Sequence, residues 1–159
     1  MTDLQDYVGV GALRMRAACR ADVAAVVGLL SDGAGALAER PKDLTAYHGA
    51  FDRMQVETGN RVYVGEIGDE VVATYQFAII CGLSLRAARR AQIESVRVRR
   101  DLRGRGLGRA LMADAETRAR AAGCTLLQLT SSAVRAEAQR FYVSLGFTAS
   151  HVGFKKPLE

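Results

Sequence analysis

The segment 92–122, QIESVRVRRDLRGRGLGRALMADAETRARAA, changes its hydrophobic period midway, and this restricts the fold more than any other feature of the chain. From Gln92 to Arg99 the residues alternate: Ile93, Ser95 and Arg97 fall on one side, Glu94, Val96 and Val98 on the other. That is a strand pattern, and the valines suit it. From Leu107 the period is helical, with Leu107, Leu111, Ala115, Ala119 and Ala122 recurring at three or four residues beside Ala110. Asp114–Arg118 and Glu116–Arg120 are acid-before-base pairs at i,i+4, which support a helix on its solvent side.

Strand and helix are joined by Arg103-Gly104-Arg105-Gly106-Leu107-Gly108. Alternate glycines let the backbone turn sharply and keep Cβ atoms out of the way of a ligand. The helix that follows opens with amides lacking intrahelical acceptors, at the positive end of its dipole. This combination forms a seat for phosphate or diphosphate. Arg97, Arg99, Arg100, Arg103, Arg105 and Arg109 add positive charge against Asp101 alone. The residues by themselves equally allow a plain glycine-rich connection with a solvated basic surface. A Walker A loop does not fit, because no lysine follows the glycines. A dinucleotide fingerprint does not fit either, because the third glycine arrives one residue early.

Arg103-x-x-Gly106-x-Gly108 after a valine-rich strand resembles the acetyl-CoA-binding turn of the GNAT superfamily of N-acetyltransferases, written [Q/R]-x-x-G-x-[G/A]. Downstream, Ala138, Phe141, Tyr142, Gly146 and Phe147 resemble that family's A-x-x-F-Y-x-x-x-G-F signature. The resemblance runs from about Leu13 to the C-terminus and is strongest after Gln92. It implies a single GNAT domain over residues 1–159, with residues 1–12 as a loose leader. The implied fold is α/β, a mixed central sheet flanked by helices in the order β-α-α-β-β-β-α-β-α-β.

The residues support that order. Leu13–Ala17 reads as a strand. Asp22 is placed to cap a helix through Leu30, whose buried stripe is Val23, Val26, Val27 and Leu30. Ser31–Ala38 is a Gly/Ala-rich break, in the GNAT frame a mobile substrate loop. Pro41 suits the first turn of a helix over Leu44–Thr58, with Leu44, Tyr47, Phe51, Met54 and Val56 as core and Gly59-Asn60 as its end. Arg61–Ile67 and Val71–Ile80 form a hairpin around Gly68-Asp69-Glu70. Gly82–Ala91 is an arginine-rich surface loop. After the long helix, Gly123 stops it and Thr125–Thr130 is a strand. A helix over Val134–Leu145 presents Val134, Ala138, Phe141 and Leu145 to the core, and a last strand begins at Phe147.

A chain of 159 residues is large enough for one domain with a real core. The net charge of +5 suits an anionic ligand. Cys19, Cys81 and Cys124 are widely spaced, and His48 and His151 are far apart, so neither a disulfide framework nor a metal site is expected. No apolar run reaches the roughly 18 residues of a membrane span. The acidic start lacks the basic flank of a signal peptide, so a cytoplasmic location is expected. Nucleic acid is disfavoured as a partner, because no aromatics interleave the arginines.

Acetyl transfer from a thioester to an amine requires a deprotonated amine, a stabilised carbonyl oxygen and, at best, a protonated leaving sulfur. The resemblance assigns Tyr142 as general acid; a phenol near pKa 10 suits a thiolate near 8.5. Glu94 is the candidate general base or binder of the cationic amine, against the alternative of a salt bridge to a neighbouring arginine. Backbone groups of Val96, Arg97 and Val98 would pair with the pantetheine arm beside a strand bulge. Arg103, Gly104, Arg105, Gly106, Leu107, Gly108 and Arg109 would hold the diphosphate. Phe141 and Ser132 complete the coenzyme contacts, with Ser132 standing where many members have asparagine. The tail 138–158 also resembles aminoalkylphosphonate-type acetyltransferases, which points to a small cationic amine as acceptor. His151 reads first as a strand residue and second as a pocket residue. The expected cofactor is acetyl-CoA as co-substrate, without metal, and the partner a small-molecule amine; a homodimer stays open. Alternatives are a longer acyl donor, a CoA-binding protein without turnover and, more distantly, a nucleic-acid-binding module.

Overall fold

The computed structural model describes residues 6–7, 11–32 and 41–158. The chain divides into two units, residues 1–128 and 129–159. The first carries a six-stranded sheet in sequence order: β1 Asp6–Tyr7, β2 Gly11–Ala17, β3 Asn60–Ile67, β4 Glu70–Ile80, β5 Arg90–Val98 and β6 Leu126–Leu129. Strands β1 to β5 pair antiparallel in succession. β6 returns beside β5 after a helical crossover, the kind of connection a mixed sheet requires. The helices are α1 Val23–Ser31, α2 Thr45–Val56, α3 (a single turn, Ser84–Ala87), α4 Leu107–Ala121 and, in the second unit, α5 Ala136–Ser144.

The centre of the sheet is covered on both faces. Val72, Ala73, Thr74 and Tyr75 are consecutive in β4, and none is more than 1% exposed, as in strands packed on both sides. One face meets α4, whose Leu107, Leu111, Met112, Ala115 and Ala119 are buried as the 3.6-residue period requires. Burying a leucine such as Leu111 completely contributes about 2 kcal/mol. The other face meets α1, where Val23 and Val27 join Phe51 of α2 in a second cluster with Ala18 and Leu44. Gly65 is required by close approach, because a Cβ there would lie 2.9 Å from both Leu13 Cδ1 and Met15 Sδ.

The α/β class, the flanking helices and the sequence of elements from β2 to α5 match expectation, and several details differ. Within the expected leader, Asp6–Tyr7 pairs with β2; the rest of residues 1–10, like the expected substrate loop over 33–40, lies outside the described residues. Asp22 does not cap α1. Its carboxylate instead accepts the Cys19 amide at 2.7 Å and both Arg16 Nη atoms, at 2.6 and 2.9 Å. α2 starts at Thr45, whose amide donates to Asp43 Oδ1, so Pro41 precedes the helix. Val56 is 84% exposed and Tyr47 is 40% exposed, because only the Phe51 side of α2 meets α1.

The second unit departs further. Val134 precedes α5 and is 90% exposed, and α5 has no fully buried residue. No strand forms after Phe147. Residues 147–158 carry one local backbone bond, Ser150 N–H to Thr148 O, and Val152 and Phe154 are largely exposed. Short alternation cannot hold a strand without a partner to hydrogen-bond.

Candidate active site

Between β4 and β5 the register slips. Thr74 pairs with Arg97 and Gln76 pairs with Glu94, so Tyr75 alone faces both Ser95 and Val96. The extra residue is a β-bulge, and Ser95 takes φ +54° to make it. A left-handed serine costs on the order of 1–2 kcal/mol, and strain of this kind is usually kept where it serves a site. The bulge also corrects the alternation read from the sequence. Directly opposed residues share a face, so Glu94 and Arg97 lie with Gln76 and Thr74, and Val96 leaves the face of Glu94.

Glu94 is exposed, and its carboxylate accepts the Gln92 amide at 3.3 Å. No arginine pairs with it among the described residues, which removes the salt bridge that competed with a chemical role. The carbonyls of Val96 and Val98 accept Arg97 Nη1 (2.9 Å) and Arg103 Nε (3.1 Å) respectively. Arg103 thereby braces the turn from its own side chain.

Past β5, Arg99 pairs with Glu70 and Asp101, and Leu102 is buried as the anchor of a short 3-10 turn. Gly104 (φ +75°) and Gly106 (φ +91°) then reverse the chain into α4, in a region that L-residues rarely adopt. Nothing lies within 4 Å of where a Gly104 Cβ would stand. Gly106 occupies the N-cap without a side-chain cap, and the first turn holds no acid. The first helical bond is Ala110 N–H to Gly106 O, 3.1 Å. The amides of Leu107, Gly108 and Arg109 therefore lack acceptors within the helix. Arg103, Arg105 and Arg109 are exposed and form no ion pair among the described residues. Donors, dipole and charge together fit a diphosphate, and the residues expected to hold one form a continuous rim.

A buried network that the sequence did not reveal holds α4 on the sheet. Asp114 is 3% exposed, not on the solvent side as its spacing suggested. It accepts the Tyr75 hydroxyl at 2.5 Å and Arg118 Nε and Nη2 at 2.8 and 3.1 Å. The Arg118 guanidinium lies 3.9 Å over the Tyr63 ring, which stacks on Tyr75. Burial, with Asp114 beside it, pushes the Tyr75 phenol far above its ordinary range. Its one sequence signal was the Asp114–Arg118 spacing. A second ionic cluster fixes the start of α1: Arg16 bridges Asp22 and Glu66, and Arg14 also reaches Glu66. The Arg16 guanidinium holds the Asp22 carboxyl at about 2, with the Cys19 amide assisting.

In the second unit, Tyr142 lies on α5, with Phe141 at 5.2 Å and Phe147 at 5.9 Å between ring centroids. Gly146 (φ +89°) ends the helix: its amide donates to Val143 O at 3.0 Å, and Phe147 N–H to Tyr142 O at 3.1 Å. That pattern is a Schellman cap, and the Phe147–Tyr142 contact is the apolar pair that accompanies one. The spacing Tyr142-x-x-x-Gly146-Phe147 thus has a local purpose, to hold the tyrosine ring from below. Ser132 precedes α5 and its carbonyl accepts Arg135 N–H and Gln139 Nε2. His151 is exposed beside Ser150, outside any strand. Among the described residues no group of three or more His, Cys, Asp or Glu is placed to hold a metal, and no helix is long and apolar enough to cross a membrane.

Residues 33–147 match the family model described as Acetyltransferase (GNAT) family. Over 67 residues the chain is 39% identical to the aminoalkylphosphonate N-acetyltransferase of Salmonella typhimurium, a match covering 42% of this chain and 44% of that protein. The aligned part thus spans under half the length of this curated relative. Among solved structures, a transcriptional regulator from Bacillus halodurans C-125 is 34% identical with a TM-score of 0.85, covering 92% of this chain and 99% of that one. An acetyltransferase of Trypanosoma brucei is 26% identical with a TM-score of 0.76, covering 92% and 99%. A family match across most of the sequence, a fold shared over nearly its whole length, and a bulged strand running into an uncapped, glycine-led helix lead to one assignment: the chain belongs to the acetyltransferase (GNAT) family.

Proposed function

We propose that the protein transfers an acetyl group from acetyl-CoA to the primary amine of a small molecule by direct attack. The observation that carries this reading is the continuous path from the Ser95–Val96 bulge through Gly104 and Gly106 to the open amides of Leu107, Gly108 and Arg109. Acetyl-CoA supplies the activated thioester. Backbone groups of Val96, Arg97 and Val98 align its pantetheine arm, and residues 103–109 hold its diphosphate, with Arg105 and Arg109 as the flexible cations. Phe141 and Ser132 add contacts to the arm. Glu94 takes the proton of the incoming ammonium, directly or through one water, as a C–N bond forms and the C–S bond breaks. The Tyr142 hydroxyl gives a proton to the departing sulfur. Positioning provides much of the acceleration, so no covalent enzyme intermediate is needed.

A small cationic or zwitterionic amine is the acceptor we favour, supported by the similarity to an aminoalkylphosphonate N-acetyltransferase. A cytoplasmic location accords with the unpaired Cys19, Cys81 and Cys124. A second reading, nucleic-acid binding, is favoured by the uncompensated arginines of the turn and by the Bacillus halodurans relative described as a transcriptional regulator.

The test is thiol release from acetyl-CoA across aminoalkylphosphonates, polyamines, amino acids and aminoglycosides, with wild type and Tyr142→Phe. The expected result is turnover with one amine class, and a loss in kcat of about 10²-fold or more in the variant with little change in coenzyme affinity. Full turnover in Tyr142→Phe under rate-limiting chemistry would remove the tyrosine from the reaction. In parallel, a rise in Tm with duplex oligonucleotide and none with acetyl-CoA would favour the second reading.

A further inference from the structure

Beside the bulge lies a cavity of about 40 Å³, lined by Val26 and Leu30 of α1, Val62 of β3, Thr74 and Gln76 of β4 and Ser95 of β5. The catalytic roles assigned above do not use it. Three of its walls are aliphatic. Its polar side chains on β4 are already engaged: Thr74 Oγ1 donates to Tyr63 O at 2.9 Å, and Gln76 Nε2 to Asn60 Oδ1 at 3.0 Å. No charged side chain is among its lining residues. A lone water needs about 10–15 Å³ by the same measure, so the cavity has room for about three heavy atoms.

We infer that this cavity receives the acyl group of the donor and restricts it to acetyl. The inference rests on the function proposed above, in which the thioester end of the coenzyme lies at the bulge. An acetyl group has three heavy atoms and ends in a methyl, which the aliphatic walls accept. A butyryl group carries two further methylenes, which the rigid sheet and α1 have no space for. A succinyl group would bring a carboxylate against Val26, Leu30 and Val62 with no cation among the lining residues, and an unpaired buried charge is strongly disfavoured. Leu30 and Val26 therefore set donor length, and Ser95, by its left-handed backbone, opens the space they close.

Calorimetric titration of the full chain with CoA, acetyl-CoA, butyryl-CoA and succinyl-CoA tests this without knowledge of the amine. In wild type, acetyl-CoA should bind more tightly than CoA, and butyryl- and succinyl-CoA more weakly than acetyl-CoA. Leu30→Ala lengthens the cavity and should raise the butyryl-to-acetyl affinity ratio on the order of tenfold, from about fourfold per newly accommodated methylene. Val26→Ile, a smaller change that keeps the fold should Leu30→Ala not, fills the cavity and should abolish the preference for acetyl-CoA over CoA. Succinyl-CoA binding as tightly as acetyl-CoA, or ratios unmoved in folded variants, would overturn the acyl pocket while leaving the proposed function standing. Failure of CoA and all its thioesters to bind wild type would overturn both.

Discussion

Removing the Tyr75 hydroxyl with Tyr75→Phe tests how α4 is held to the sheet. The hydroxyl donates to Asp114 at 2.5 Å, both side chains being almost fully buried. A hydrogen bond to a charged acceptor contributes about 1.5–3 kcal/mol. Asp114 keeps its two bonds from Arg118, so no orphaned acceptor adds to the cost, and the lower end, about 1.5–2 kcal/mol, is expected. Asp114→Ala acts differently. It leaves the Tyr75 hydroxyl buried without its acceptor and the Arg118 guanidinium without its counter-charge, a loss of about 3–5 kcal/mol. For a chain of this size each kcal/mol moves Tm by about 2–4 °C. Tyr75→Phe should therefore lower Tm by about 3–8 °C and Asp114→Ala by about 6–20 °C. Urea unfolding of both single variants and the double variant completes the cycle. The double variant should lose less than the sum of the singles by at least about 1 kcal/mol. A coupling within about 0.5 kcal/mol of zero would refute the claim that this bond links helix to sheet.

Three further outcomes follow from the site. Gly106→Ala forces an L-residue to φ +91° and should cost about 1–2 kcal/mol in stability, with weaker CoA binding in titration; unchanged affinity would detach the turn from the coenzyme. Glu94→Gln should lower kcat/KM on the order of 10²-fold and erase its rise with pH on the acid side, whereas parallel pH profiles would exclude the carboxylate as base. The Asp22 carboxyl titrates at about 2 instead of its ordinary 3.8, and Glu66 is also lowered by Arg16. Their stabilisation is present above the ordinary carboxylate range and is lost as pH falls from about 4 towards 2. Asp22 alone accounts for on the order of 2 kcal/mol, and acid unfolding of Asp22→Asn should be correspondingly less steep.

What the sequence disclosed depends on the range over which each feature is determined. The stripe Leu107, Leu111, Ala115, Ala119 and the stop at Gly146-Phe147 are local, set by helix period and cap geometry, and both are legible without a structure. The burial of Asp114 is not local. Its i,i+4 partner suggested a solvated pair, and only the Tyr75 hydroxyl arriving from β4 makes a buried position tenable. The strand expected after Phe147 failed for the converse reason, since alternation supplies a pattern but no partner.

The bulge is the deepest case, because it belongs to neither strand alone. Thr74 to Gln76 is three residues and Glu94 to Arg97 is four, and the surplus shows only when the two are paired. Read singly, β5 alternates without interruption and places Val96 with Glu94. Paired, it turns Arg97 to that face and leaves Ser95 in a left-handed conformation at the mouth of the cavity. The one non-glycine residue that bends the central strand thus stands between the candidate base and the coenzyme turn. A residue with that position and strain is better explained by what the strand must bind than by what the sheet needs, because an unbulged ladder would pair more backbone groups.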